Sequence, residues 1–460
     1  MDNERGNPGR LIAILLPLLA RLAFSCPASA QTLPPSEQVP APADLDDPLL
    51  AAVEPPPHQL SSWREAVTLI TARSVDLGIA VQEVERARGN ARQALALALP
   101  TISSSGSITQ QLLTAASTPG VESAANPALQ WQLAVSQPIF APQAWYGIKT
   151  ADMQVTSAML SVADKKRTVL TGVVNSIVSV VAAERVAEIN RASLKSALER
   201  LTLIRRQAAL GTATRLDVLR VEQDVAVTRS TLVSGDESLR QARESLGLAL
   251  GSREAYGVSP SISLIEVAQS MQEICTGIAL EDRSDIRQAK NEAEVAARGI
   301  TDAWLAFSPT ATVSTTTGVA NQTSTVSGRD WTWSVQGLIT IPLWDGGVRY
   351  GTQRIAKASV EESKLKLESV LRGATISVAQ ALRSVLVTEQ LRLVAERQRD
   401  LAIETARLSQ RSYETGTGTS FDLVDTAQKA RAAEVDLAVK ELNVVQVKLG
   451  ALLALSTCNY

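Results

Sequence analysis

From residue 143 to residue 259 the chain contains no proline, and from 343 to 460 it contains none again. Proline removes a backbone donor and breaks helices, so tracts this long without it are tracts in which long helices can run uninterrupted. Both are rich in Ala, Leu, Glu, Gln and Arg. Apolar residues recur three and four apart in the first, as at Leu198, Leu201 and Ile204, and more loosely in the second, at Leu386, Leu393 and Leu401. Each tract is interrupted once, by "GTATRLDVLRVEQ" at 211–223 and by "GTGTSFDLVDTAQ" at 416–428. Gly, Thr, Thr, Asp and Gln recur in register at a shift of 205 residues. Each tract is therefore read as two helices joined by a tight turn: 143–209 and 215–250, then 346–415 and 420–455. The first helix would run about 100 Å at 1.5 Å per residue, and a helix of that length needs partners all along it.

The repeat extends beyond the turns. "LPT" at 99–101 matches "SPT" at 308–310, "QPIF" at 137–140 matches "IPLW" at 341–344, and "WYG" at 145–147 matches "RYG" at 349–351. The chain reads as a duplication, with units at 61–258 and 281–456 joined by a connecting segment at 259–280. Each unit reads helix, two strands, very long helix, turn, helix.

The strand pairs are expected at about 101–113 and 128–138, and at about 310–320 and 329–342. In "RDWTWSVQGLITIPL", Trp331, Trp333, Val335, Ile339 and Ile341 fall on one face, and Thr332, Ser334, Gln336 and Thr340 on the other, with Leu338 breaking the rule. Trp131, Leu133 and Val135 alternate in the same way with Gln130, Gln132 and Ser136. Aromatics are only 3% of the chain, yet ten of the sixteen flank these strands. Trp131, Phe140, Trp145, Tyr146, Trp331, Trp333, Trp344 and Tyr350 among them read as a girdle at membrane interfaces, against the plainer reading of a sheet core. Four strands cannot close a barrel, so a membrane reading requires several chains, with outer-membrane lipid around them.

The N-terminus has the form of an export leader at 1–30, with Arg5 and Arg10 before "LIAILLPLLARLAF" and small residues at Ala28 and Ala30. Cys26 stands in "AFSC", a poor lipidation box. Residues 31–60 are Pro-rich and expected to be an unordered linker. After the leader no run is apolar enough for a membrane helix. Cys275 and Cys458 remain in an oxidising compartment, compatible with a disulfide or with two thiols. The single histidine, His58, has no second histidine to work with, so neither a His-based catalytic site nor a metal site is expected. No cofactor is expected, and a net charge of −2 gives no nucleic-acid footprint.

The duplicated turn, the "QPIF" and "IPLWDGG" junctions, "RSDIRQAKNEAEVA" at 283–296 and the order of elements resemble the TolC family of outer-membrane efflux proteins over residues 60–455. "RSDI" carries Ser284 where the family has proline, and "IFAPQ" lacks the Asp-Gly-Gly of the second junction. The resemblance implies an α+β membrane protein: a homotrimer with a twelve-stranded barrel in the outer membrane of a Gram-negative bacterium and a helical tunnel across the periplasm. It implies a passive exit duct for small molecules or proteins, worked by an inner-membrane pump through a periplasmic adaptor. A soluble periplasmic coiled-coil scaffold or an adaptor protein is the other reading, although an adaptor has one hairpin where this chain has two. An enzyme is a distant third.

At the turns, Gly211 and Gly416 fit the left-handed position that ends a helix, and Thr214 and Thr419 fit the caps of the next, with Asp217 and Asp422 three residues on. With Thr212 and Thr417, these small residues leave room for an adaptor's helical tips. The resemblance implies aspartate rings at the tunnel entrance, at Asp422 and Asp425, and ties between helices through Asp217 and Tyr413. The usual arginine of that tie falls at Gly418, leaving Arg215 and Arg220 as candidates. Capping explains Asp217 and Asp422 as well as gating does, and a solvated helix face is the alternative for Asp425.

Overall fold

The computed structural model describes residues 47–110, 112, 127–260, 262, 267, 269, 275–277, 279–321, 331–454 and 456–458. The leader with Cys26, linker residues 31–46, residues 111, 113, 329, 330 and 455 of expected elements, and most of the connecting segment lie outside the described residues.

The described chain repeats one plan twice. After β1 (His58–Leu60), the first unit runs α1 (Trp63–Arg73), α2 (Val75–Ala96), β2 (Thr101–Thr109), β3 (Ala128–Phe140), α3 (Pro142–Ala209), α4 (Arg215–Ala249) and β4 (Tyr256–Val258). After β5 (Cys275–Gly277), the second runs α5 (Ser284–Leu305), β6 (Thr310–Ala320), β7 (Trp331–Thr340), α6 (Val348–Glu414), α7 (Ser420–Ala454) and β8 (Ser456–Cys458). Each long helix is paired along one part of its length with the helix that follows it and along the other with the helix that precedes its strands. At 1.5 Å per residue, the 68 residues of α3 set the hairpin turn about 100 Å from the strands.

The junctions begin their helices differently. Pro142 stands in the first turn of α3, where a missing N–H costs nothing. Gly346 and Gly347 turn left-handed before α6, with φ of 70° and 94°, and Asp345 accepts from the N–H groups of Gly347 and Arg349, each at 3.1 Å. Where one helix was expected before the first strands, Ser74 splits it. Its backbone is extended, and its hydroxyl caps Leu77 N–H at 3.3 Å.

β2, β3, β6 and β7 form one antiparallel sheet in that order. The two edge strands, β2 and β7, pair with nothing further among the described residues. The main core lies far from that sheet, about midway along α3, where Ile70, Leu170, Ile177, Leu246, Leu250 and Leu449 are almost fully buried. β1 pairs in parallel with β4 beside it. His58 bonds Glu254 at 2.6 Å and stacks on the Tyr256 ring. The β5–β8 register sets Cys275 opposite Cys458; their side chains lie outside the described residues.

Two expectations need correction. The linker does not run unordered to residue 60. Asp47 caps a 3-10 turn at Pro48–Leu50 and accepts from Arg229 Nε and Nη2, at 3.0 and 2.8 Å. Arg191 and Arg243 hold the carbonyls of Ala51 and Glu54, at 3.3 and 3.0 Å. A segment's own composition does not reveal arginines elsewhere that pin its backbone. Second, α3 and α6 each hold a window long and apolar enough to cross a membrane. About a third of that window is buried in α3, and only about a tenth of it in α6.

Candidate functional site

The hairpin tips carry the repeated turn. Gly211 and Gly416 have φ of 76° and 77°, a conformation that any Cβ would strain. Thr214 and Asp217 form a complete capping box: Thr214 donates to Asp217 Oδ2 from its N–H at 2.9 Å and its hydroxyl at 2.6 Å, and Asp217 N–H returns to Thr214 Oγ1 at 3.3 Å. In the second hairpin Thr419 donates to Asp422 Oδ2 at 2.7 Å and accepts from Asp422 N–H at 3.2 Å. Thr212 and Thr417 turn inward, each hydroxyl donating to a carbonyl of the preceding helix, Gln207 at 3.0 Å and Ser412 at 3.1 Å.

The structure joins the two tips through Ser420, which is 2% exposed. Its hydroxyl donates to Asp217 Oδ1 across the hairpins and accepts from Arg220 Nη1 at 3.3 Å. The hydroxyls of Ser420 and Thr214 hold the Asp217 carboxyl below the usual carboxylate range, with help from the Arg220 charge. Tyr413 is half-buried nearby; burial first, and the Asp217 charge second, push its hydroxyl up. Arg220 lies within reach of the Phe421 ring, 6.0 Å from its centroid. Exposed Arg215 has no hydrogen bond or ion pair among the described residues. Gly418 leaves no room for the arginine that the resemblance implies there, since a Cβ would come within 2.9 Å of Tyr413 N. Asp422 is exposed beside its cap, and Asp425 pairs with Lys429 at 2.7 Å.

Sequence reasoning missed Ser420 and a second link deeper in. Asp224 takes Arg200 Nη2 at 2.9 Å and Gln428 Nε2 at 3.0 Å, and Arg431 Nη1 donates to Thr228 Oγ1 at 2.6 Å. The available signal was a carboxylate set among Val221, Val225, Thr228 and Leu232 at helical spacing, on a face that is otherwise buried and uncharged.

At the other end, β2, β3, β6 and β7 contain no charged residue. The register puts Trp131, Val319 and Trp331 in one row across three strands, all on one face. Trp131 and Trp333 donate their indole N–H groups to Ser104 Oγ at 3.0 Å and Thr315 Oγ1 at 2.8 Å, hydroxyls of the same face. A bulge between Pro138 and Phe140 shifts the parity, so Phe140 joins Ala311 and Ile339 in a row on that face. Phe140 meets the edge of Trp145 at 5.7 Å, Tyr350 meets Phe307 at 5.4 Å, and Arg298 sits 3.9 Å over the Tyr146 ring. Trp344 is 77% exposed. Among the described residues no group of acids, histidines or cysteines is placed to hold a metal ion.

The family profile for outer membrane efflux proteins matches residues 66–252 and 276–454, most of the chain. The chain belongs to the outer membrane efflux protein family. Among its relatives, Nodulation protein T of Rhizobium leguminosarum bv. trifolii is 25% identical over 393 residues, covering 80% of this chain and 79% of that protein. A probable efflux pump outer membrane protein of Pseudomonas putida, TtgC, is 23% identical over 371 residues, covering 78% and 75%. The crystal structure of the outer membrane protein VceC of Vibrio cholerae shares the fold, with a TM-score of 0.70 over 85% of this chain and 95% of that one at 19% identity. This efflux protein is thus an outer-membrane channel of an export system, with long helical hairpins forming a large periplasmic part.

Proposed function

We propose that three copies of this efflux protein close one twelve-stranded barrel in the outer membrane, and that their hairpins form the tunnel whose tips receive a periplasmic adaptor and, through it, an inner-membrane pump. The open four-stranded sheet carries this reading. Its edges leave backbone donors and acceptors unpaired, which lipid does not tolerate. With β2 and β7 running in opposite directions, β7 of one copy meets β2 of the next antiparallel, so copies add without breaking the pattern. The Trp-bearing face is the lipid face, and its hydroxyls at Ser104 and Thr315 are already bonded to indoles. Nine residues of β3 separate Trp131 from Phe140, about 30 Å along the strand and about 23 Å once tilted by 40°, close to the ~25 Å band of such barrels.

The helices support the same assembly. Leu386, Leu393, Leu401 and Leu408 recur every seven or eight residues and stay exposed along α6, as a seam for a neighbouring helix would. The test is the mass of the detergent-extracted particle. Three chains are expected, and Leu393→Glu with Leu401→Glu is expected to leave mostly single chains. A wild-type particle of one chain would overturn the reading.

At the tips, Asp422 and Asp425 of three copies would ring the entrance and favour cations, and the Asp217–Ser420–Arg220 tie would hold it shut. Because folding depresses the Asp217 value, the tie contributes above the ordinary carboxylate range and is lost as pH falls through the depressed value, below about pH 4. Asp217→Asn is expected to conduct several-fold more than the wild type at pH 6, and the wild type to approach it only as pH falls through the depressed carboxylate value. An Asp217→Asn channel with wild-type conductance at pH 6 would remove the tie from the gate.

A further inference from the structure

We propose that Lys429 sets the charge preference of the tunnel entrance by cancelling the Asp425 ring, leaving Asp422 as the only uncompensated acid of that pair. The inference rests on the trimeric channel reading and goes beyond it, since that reading counts both aspartates as open negative charges.

The charges on α7 follow one face. Asp422, Asp425, Lys429, Asp436 and Lys440 are spaced by three, four, seven and four residues, which keeps them in a single stripe. Within it, Lys429 Nζ lies 2.7 Å from Asp425 Oδ2, and Lys440 Nζ lies 3.8 Å from Asp436 Oδ1. Lys429 and Asp436 line a groove between α6 and α7 together with Gln398, Thr405 and Thr426. Among the described residues the Asp422 carboxylate has one hydrogen-bond partner, the neutral hydroxyl of Thr419. Asp422, Asp425 and Lys429 therefore carry one net negative charge per chain.

The lysine is 70% exposed and its partner 37%, so the pair itself adds little to stability. Cancellation does not need a lasting contact. At physiological ionic strength the screening length is about 8 Å, longer than the separation of these groups, so their fields merge for any ion in the entrance whether the pair is closed or briefly open. Removing the positive member exposes two acids per chain at one level of the channel, and the potential there rises with the net charge.

The test uses the assembled protein in planar bilayers, with reversal potentials in a potassium chloride gradient and La³⁺ added from the tip side. Lys429→Gln is expected to raise the cation-to-anion permeability ratio about threefold and to lower the blocking La³⁺ concentration roughly tenfold. Lys429→Arg, which keeps the charge, is expected to match the wild type. Lys429→Gln with Asp425→Asn is expected to return to wild-type values, which a merely structural role for the lysine would not produce. Channels of Lys429→Gln with wild-type selectivity and block would overturn the inference while leaving the channel intact. If the wild type forms no trimeric pore, the channel reading falls, and this inference with it.

Discussion

Val335→Arg is expected to keep the protein from assembling in the outer membrane, while Gln336→Arg, one residue along the same strand, is expected to assemble. Val335 lies midway between Trp331 and Ile339 on the face that carries Trp131 and Phe140, and it pairs across β6 with Thr315. A guanidinium on the lipid side near the middle of the band costs about 2–4 kcal/mol in each chain, and a trimer bears it three times. Gln336 pairs with Ser314 on the opposite face, among Ser334, Thr316 and Thr332, the face that the proposed barrel would turn to a water-filled lumen, where a charge would keep its hydration. The measurement is the fraction of each variant recovered from outer membranes as a three-chain particle in detergent. A drop of more than tenfold for Val335→Arg beside near-normal recovery of Gln336→Arg is expected. Equal recovery would mean the two faces see similar surroundings, as in a small soluble sheet, and the barrel would go.

What could be read in the sequence was local. The repeated Gly-Thr-X-Thr turn specifies left-handed glycines and Thr caps through residues at most a few positions apart, and the φ values at Gly211 and Gly416 follow from those residues alone. Alternation at Trp331, Trp333 and Val335 likewise needs only the two-residue pleat. What could not be read depends on register between distant parts. Ser420 meets Asp217 across 203 positions, and Gln428 meets Asp224 across 204, so neither contact has a local signature beyond the repeat itself. Simple alternation puts Phe140 on the wrong face; only the bulge at Pro138 brings it to the side of Trp131. The end of the Pro-rich segment looked unordered because the arginines that hold it belong to α3 and α4.

Asp224→Ala is expected to be the most destabilising single change in the hairpins. Its carboxylate is fully buried, seven residues and about 10 Å inward from Asp217, and it faces two guanidiniums. Arg200 bonds it directly at 2.9 Å, and burial holds Arg431 below the usual arginine range while the Asp224 charge works against that shift. Removing the carboxylate leaves both cations near each other with no anion between them, and it orphans the Gln428 amide that crosses from α7. Breaking a buried pair on one side costs about 3–5 kcal/mol, so the loss is expected to appear as earlier thermal unfolding of the detergent-extracted protein and as faster tryptic cutting at the tips. Asp224→Leu with Arg200→Met replaces the pair by apolar groups of similar size, and recovery of part of the stability is expected because the desolvation cost of those two charges leaves with them, while Arg431 stays buried without its anion. The two variants separate stability from linkage: the double change restores packing within the first hairpin but not the bond from Gln428. If tips of the repacked protein still open more readily than the wild type, the Asp224–Gln428 contact holds the hairpins together in addition to filling the space between them. Tips as closed as the wild type would confine its role to the core of one hairpin.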